Sequence, residues 1–210
     1  MLSKEELINL VSTDVDAFNT EIRNTKGGID LSETDFSNIE LEGAEFFNVD
    51  LTSSSFADSH LTEVKFDACD LTSVDFTRAN VVECSFSESV LNGTDFSYSK
   101  VDYCNFSDAD LAGAIFQGAD LTNSDLSMSE NLSACRFDEE TVWPDNEYLP
   151  EDFDSKYSSD LSMAENLSAC RFDEETVWPD NEYLPEDFDS KYSSDLSSLQ
   201  DDDDYQQSDY

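Results

Sequence analysis

Cations are scarce in this sequence. Ten Lys and Arg stand against fifty Asp and Glu, with a single His and a formal net charge of −40. Neither nucleic acid nor an anionic membrane is expected as a direct ligand, because phosphates would be repelled. No apolar run approaches membrane length. Met1 is followed by Lys4, Glu5 and Glu6, so no signal peptide is expected. One histidine, His60, cannot build a His-rich metal site, and no nearby Ser or Cys is placed as its nucleophile. Phosphate loop, zinc spacing and nucleophile motif are all lacking. The acidic segments lack the Gly and the spacing of a calcium loop. No catalytic residue, cofactor or specific metal is therefore expected, and the chain reads as non-enzymatic.

What the chain has is a period of five. From Leu31 to Leu126 every fifth residue is Leu, Phe or Val, twenty times without a miss. A helix would scatter these residues around its axis, and a strand would place them on alternating faces. The pattern calls for one inward residue per short straight segment, with a turn between segments. A square coil of four pentapeptides per turn satisfies it. The residue two before each centre also points inward and is mostly small, as at Ala44, Ser54, Cys69, Ala79, Cys84, Cys104 and Ala119. Large and small then alternate in a narrow tube, as close packing requires. Three of the five cysteines take these inward positions, and the count is odd. Both facts point to a reducing compartment and a cytoplasmic protein.

The triplets Val49-Asp50-Leu51, Cys69-Asp70-Leu71, Ala109-Asp110-Leu111 and Ala119-Asp120-Leu121 resemble the pentapeptide-repeat family, whose motif is A(D/N)LXX. The resemblance covers about half the chain. It implies an all-β solenoid, a right-handed quadrilateral β-helix of about five coils, with a short N-terminal helical cap and an irregular acidic C-terminal extension. Leu or Val centres alternate with Phe centres. One opposite pair of walls should then be lined by Leu and Val and the other by Phe. Phe36, Phe56, Phe76, Phe96 and Phe116 should form one column, and Phe46, Phe66, Phe86 and Phe106 the other. Rings twenty residues apart should stack at about the strand spacing of 4.8 Å. Each buried Phe contributes roughly 1.5–3 kcal/mol.

Residues 3–24 read as helix. Ser3 and Glu6 have capping-box spacing, and Leu7, Val11, Val15, Phe18 and Ile22 give an apolar stripe. A break near Ser12–Asp14 would split it in two. The stretch from Asp16 to Arg23 resembles the leader helix of many cyanobacterial members of the family, although these usually carry Trp where Phe18 stands. A solenoid end exposes its core, so a cap is physically required. After Leu126 the repeat slips: Leu132 and Phe137 are one residue out of phase. The expectation is a bulged corner at Ser127–Glu130 and a last partial coil over Asn131–Phe137. Thr141-Val142-Trp143-Pro144 resembles a T-x-W-P closing element, with Trp143 over the open end.

Residues 125–162 recur as 160–197, shifted by 35, with Ser129 against Ala164 the one difference. Such identity implies a recent tandem duplication, or an error in the sequence record. Three fates are open to the second copy: loose packing, displacement of the first, or closure of a dimer. The organisation expected is a helical cap over 1–28, the β-helix over 29–128, a partial coil and cap over 129–159, the duplicate over 160–197 and a disordered acidic tail over 198–210. A monomer is expected rather than a dimer.

Outside the tube, residues just before the centres form columns. Asp30, Asp50, Asp70, Val90 and Asp110 belong to one face; Asp35, Ser55, Asp75, Asp95 and Ile115 belong to the next. Neither column contains a cation. The other two faces hold Lys65, Lys100 and His60. Stacked carboxylates repel, so their pKa values should rise; alternatively, each Asp serves local hydrogen bonding in its own turn. At one corner Asp58 and Arg78 are placed to pair, with Arg78 over Tyr98. Tyr98 and Tyr103 sit on adjacent corners of one coil and form the candidate contact site.

Three functions fit. The first is a non-catalytic binding or scaffold module, a rigid acidic rod offering side chains to a protein partner; its charge suits a basic one. The resemblance supplies the second: some pentapeptide-repeat proteins act on DNA gyrase by imitating duplex DNA. The charge of −17 over residues 29–128 suits that reading. Five coils would span only about 25 Å, less than one duplex turn, so mimicry would need a dimer joined end to end. The third is a stabilising acidic protein of a salt-adapted organism.

Overall fold

The computed structural model describes residues 2–150 and Phe153. The duplicate over 160–197 and the tail over 198–210 lie outside the described residues.

The chain opens with two helices, α1 (Lys4–Thr13) and α2 (Val15–Asn24). The capping box forms as the spacing predicts: Glu6 N donates to Ser3 Oγ at 3.2 Å, and Ser3 N to Glu6 Oε2 at 2.8 Å. The break falls at Asp14, which serves both helices. Its N–H donates to Leu10 O at the end of α1, and its carboxylate accepts from Ala17 N at the start of α2 (3.0 Å). Leu7, Val11, Phe18 and Ile22 are buried, as the stripe predicts.

From Ile29 the chain winds as a four-sided coil in which residue i pairs in parallel with residue i+20. The strands are short. β1 (Ile29–Asp30) pairs with β3 (Val49–Asp50), and β2 (Glu40–Glu42), β4 (His60–Thr62), β5 (Asn80–Val82) and β6 (Lys100–Asp102) form a second parallel sheet. Single parallel bridges such as Asp35↔Ser55, Ser55↔Asp75, Glu45↔Lys65 and Lys65↔Ser85 complete the other faces. All four outer columns are therefore as the sequence predicts.

Nearly every corner has a residue at positive φ, and most are not glycine. Among the described residues sixteen non-glycine residues adopt it, from 52° at Glu33 to 65° at Asn123. Such a conformation is ordinarily uncommon for an L residue. Here most of the corner N–H groups are used in the ladder: Glu33 N donates to Thr52 O (2.8 Å) and Asp58 N to Thr77 O (2.9 Å). The coil-to-coil bonds offset the local cost.

The core is the predicted pair of phenylalanine columns. Within a column, rings stack at 4.8 to 5.3 Å and within 14° of parallel. Opposite columns meet edge to face, as between Phe56 and Phe66 at 5.4 Å and 76°. Both arrangements suit the ring quadrupole. At the N-terminal end Phe18 of α2 lies 5.1 Å from Phe46. At the other end Trp143 meets Phe116 at 5.9 Å, with Phe137 and Phe153 against its indole.

The late slip differs from the expectation. Ser127–Glu130 adds no residue, since Glu130 still pairs with Asp110, twenty residues back, but its turn differs from the other corners: Met128 is not at positive φ, and its carbonyl rather than that of Ser127 accepts from Asp108 N (3.0 Å). The first extra residue enters within Asn131–Cys135, where a 3-10 turn at Leu132–Ala134 follows Asn131 at positive φ. Pairing then runs Ile115↔Arg136 and Asp120↔Val142, offsets of 21 and 22. Asp125 Oδ1 still accepts from Ser127 N (3.0 Å), so the entry to this corner keeps the local bond of the other turns.

Candidate interaction surface

The Asp columns are built from local bonds. In each turn the carboxylate accepts from the backbone N–H two residues on: Asp30 from Ser32 (3.0 Å), Asp35 from Ser37 (2.9 Å), Asp50 from Thr52 (2.9 Å), Asp70 from Thr72 (3.0 Å). Asp75, Asp95 and Asp110 accept likewise from Thr77, Ser97 and Ala112. Ser32 Oγ adds a second bond to Asp30 at 2.7 Å. These are Asx turns, for which Asp is a preferred residue.

The expected rise in pKa is not found at Asp30 or Asp35. Both are held below the ordinary value, by the side-chain and backbone bonds from Ser32 and from Ser37. Donors fixed at hydrogen-bond distance outweigh repulsion between solvent-facing carboxylates one rung apart. Arg136 also enters the second Asp column above Ile115, so that column acquires a cation at its last rung.

Residues 29–128 hold three cations, and all are ion-paired. Lys65 meets Glu45 at 3.3 Å, and Glu45 also holds Arg23 of α2 at 2.6 Å. Lys100 meets Asp102 at 3.1 Å. Arg78 grips Asp58 with two bonds, Nε to Oδ1 at 2.8 Å and an Nη to Oδ2 at 2.6 Å. This pair lowers the Asp58 pKa and raises that of Arg78. The predicted stacking of Arg78 on Tyr98 is not among the aromatic contacts of the described residues. The guanidinium is committed to Asp58, one rung back, while the Tyr98 ring leans the other way onto Gly118.

Tyr98 and Tyr103 are 64% and 61% exposed, at the two corners that bound the face carrying β6. Phe47 is 62% exposed at another corner. The structure thus places Arg78 and Tyr98 in one corner column and Tyr103 at the next corner, and the Asp columns on two of the three faces that do not carry β6. A small open cleft of about 310 Å³, lined by Ser129, Asn131, Leu132, Pro150 and Phe153 among others, contains none of the candidate residues. Among the described residues no group of three or more His, Cys, Asp or Glu is placed to hold a metal ion.

Two features were not read from the sequence. The small inward residues also bind backbone: Ser54 Oγ donates to Leu31 O (3.0 Å), Thr94 Oγ1 to Leu71 O (2.7 Å), and Cys69 Sγ to Phe46 O (3.0 Å). Burial pushes the Cys69 thiol up to about 12 and raises that of Cys104 as well, so neither is poised as a nucleophile. The second feature is Asn19, whose side chain donates to Gly43 O (2.9 Å) and accepts from Glu45 N (2.8 Å), satisfying the first coil where no earlier coil exists. Its signal was a lone Asn beside Phe18 on the buried face of α2.

A family model of the pentapeptide repeat region matches residues 27–96 and 59–142, which together span more than half of the chain. Solved structures are similar as well. A pentapeptide repeat protein from Nostoc PCC 7120 is 30% identical over 46% of this chain and 75% of its own, with a TM-score of 0.28. HetL, a pentapeptide repeat protein involved in heterocyst differentiation regulation in the cyanobacterium Nostoc sp. strain PCC 7120, is 19% identical over 52% of this chain, with a TM-score of 0.31. That match spans 56% of the HetL chain, little more than half its length. A pentapeptide repeat protein from the Arabidopsis thaliana thylakoid lumen is 23% identical over 49% of this chain and 68% of its own, with a TM-score of 0.32. No functionally curated protein matches the chain.

Proposed function

We propose a function from one premise: the chain belongs to the pentapeptide-repeat family. Proteins of this family fold as right-handed quadrilateral β-helices and serve as structural or binding modules. This chain is a non-catalytic cytoplasmic scaffold of about five coils that binds a basic protein partner. The helices α1 and α2 cap one end and the segment around Trp143 the other. The contact site is centred on Tyr98 and Tyr103, with Arg78 and Asp58 beside it.

One observation carries the reading. Every cation of residues 29–128 is neutralised by a carboxylate of its own chain, while two exposed tyrosines bound one face. The partner therefore meets net negative charge around amphipathic rings, which favours cationic and aromatic contacts. The corners hold those rings on a hydrogen-bonded backbone, so little ordering cost opposes binding.

Polyanion mimicry is the second reading. Its support is the pair of Asp columns, whose carboxylates are fixed by Asx turns about one strand spacing of 4.8 Å apart. Val90, Ser55 and Ile115 interrupt them.

Affinity capture from native lysate at low and moderate salt separates the two, using the full-length protein and the Tyr98→Ala/Tyr103→Ala variant. Loss of a single partner with the tyrosines supports the scaffold. Capture of a topoisomerase or another nucleic-acid-binding protein, lost with salt and kept by the variant, supports mimicry. No partner under either condition overturns both.

A further inference from the structure

Two thiols stand on neighbouring rungs of one inner wall. Cys84 and Cys104 lie between the parallel pairs Val82↔Asp102 and Ser85↔Asn105, and Asn105 N donates to Cys84 O at 3.0 Å. Both residues are 2% exposed. Their side chains take the same course. Cys84 Sγ lies 3.4 Å from Val82 O and 3.6 Å from Leu61 O, and Cys104 Sγ lies 3.5 Å from both Asp102 O and Val81 O. In each case the carbonyls are those two and twenty-three residues back, so the rotamers match. The sulfurs are then displaced by one coil spacing, about 4.8 Å. Burial, and after it the adjacent Cys84 thiol, raises the Cys104 thiol. Cys69 has no such neighbour, since Val49 and Ser89 stand one rung below and above it.

We infer that Cys84 and Cys104 form a two-sulfur site for a divalent thiophilic cation, represented by Hg(II), held in line between two coils. Thiolate–metal bonds run about 2.3 Å, so two in line span about 4.6 Å. The rung supplies that separation without moving the backbone. A disulfide would instead need Cβ atoms about 3.5–4.5 Å apart, closer than the rungs stand. Zn(II) takes four ligands, and the other described groups bonded to the Cys84 and Cys104 sulfurs are carbonyl oxygens, which suit harder ions. Charge selects among the soft ions. On binding, two S–H bonds break, two S–metal bonds form, and both protons leave to solvent. A divalent ion leaves the site neutral, whereas a monovalent one would bury an unpaired negative charge. Local opening of the coils admits the ion.

Serine substitutions in the full chain test this. The wall already accepts serine: Ser124 Oγ, one rung beyond Cys104, donates to Val101 O at 2.7 Å, again the carbonyl twenty-three residues back. The Cys69→Ser/Cys135→Ser/Cys170→Ser variant keeps only the pair. Incubated with Hg(II) chloride and washed with a small monothiol, it should retain one ion per chain by native mass spectrometry. X-ray absorption should show two sulfurs at about 2.3 Å from the metal. The melting temperature should rise by about 5 °C. Adding Cys84→Ser or Cys104→Ser should abolish both the retention and the rise. In the parent, Cys84→Ser alone should lower the retained count by one, a comparison that does not need the triple variant to fold. No retained ion, retention indifferent to Cys84 and Cys104, a shell of one or of three or more sulfurs, or an ion carried only by a dimer would overturn the inference.

Discussion

The ring of Tyr98 occupies the space that a side chain on Gly118 would need. A Cβ built on Gly118 lies 2.6 Å from Tyr98 Cδ1, and Gly118 sits at a corner with φ of +63°. Glycine at this corner lets the ring lie down along the column. Gly118→Ala should push the ring into solvent at a stability cost of about 1 kcal/mol, since other corners already tolerate positive φ. Ring shifts of Tyr98 by NMR would report the displacement. Partner capture by this variant should weaken in parallel with that by Tyr98→Ala.

Phe76 is the centre of its column, stacked 5.2 Å from Phe56 and 4.9 Å from Phe96. Phe76→Ala should cost about 3–5 kcal/mol, because the surrounding coils are tied by ladder bonds and cannot collapse into the gap. Phe76→Leu should cost clearly less, since Leu fills the alternate walls at the same level. Denaturant unfolding of the two variants would rank them.

The Asp residues of the turns should act through hydrogen-bonding capacity more than through charge. Asn105 already does the same work, accepting from Ser107 N at 2.9 Å. Asp70→Asn should therefore leave the melting temperature nearly unchanged, and Asp70→Ala should lower stability by about 1 kcal/mol. Equal losses in both variants would instead assign the role to the charge.

Acid should weaken the Asp58–Arg78 pair and the Asp30 and Asp35 turns. Their carboxyls are depressed below the ordinary value of 3.8. A depressed group contributes stability that is fully present above that value and lost as pH falls through its lower folded pKa. The stability difference between the parent and Asp58→Asn should therefore be constant near neutrality and shrink only once pH falls below the ordinary value of 3.8. Thermal unfolding of both from pH 7 to pH 2.5 would show it.

Alkylation should find little to attack in the stack. The Cys69 thiol is buried and pushed up to about 12, and Cys104 is raised by the same cause. Iodoacetamide at pH 8 should leave Cys69, Cys84 and Cys104 unmodified in the native protein and label them after unfolding, as read by peptide mass spectrometry.

The five-residue period alone determined the coil, its twenty-residue register, the phenylalanine columns and the outer columns as far as Asp125, though not the entry of Arg136 above Ile115. A period repeated twenty times has few ways to bury its apolar members, and neither helix nor strand is one of them. Capping-box spacing likewise made the start of α1 legible, because both partners lie within one turn.

Tertiary structure decided the rest, wherever a group chooses among donors from different coils. The choice of Arg78 for Asp58 over Tyr98 depends on which neighbour in its column offers a matched fork. Whether Asp30 and Asp35 rise or fall in pKa depends on donors brought within 3 Å by the corner. Asn19 could be matched to Gly43 and Glu45 only once α2 lay across the first coil. That the register changes only after Glu130, although the turn at Met128 is already altered, is a matter of ladder pairing that the hydrophobic spacing does not record. Periodicity carries information about burial, which repeats; a hydrogen-bond partner is fixed only when the folded chain brings one group within reach of another.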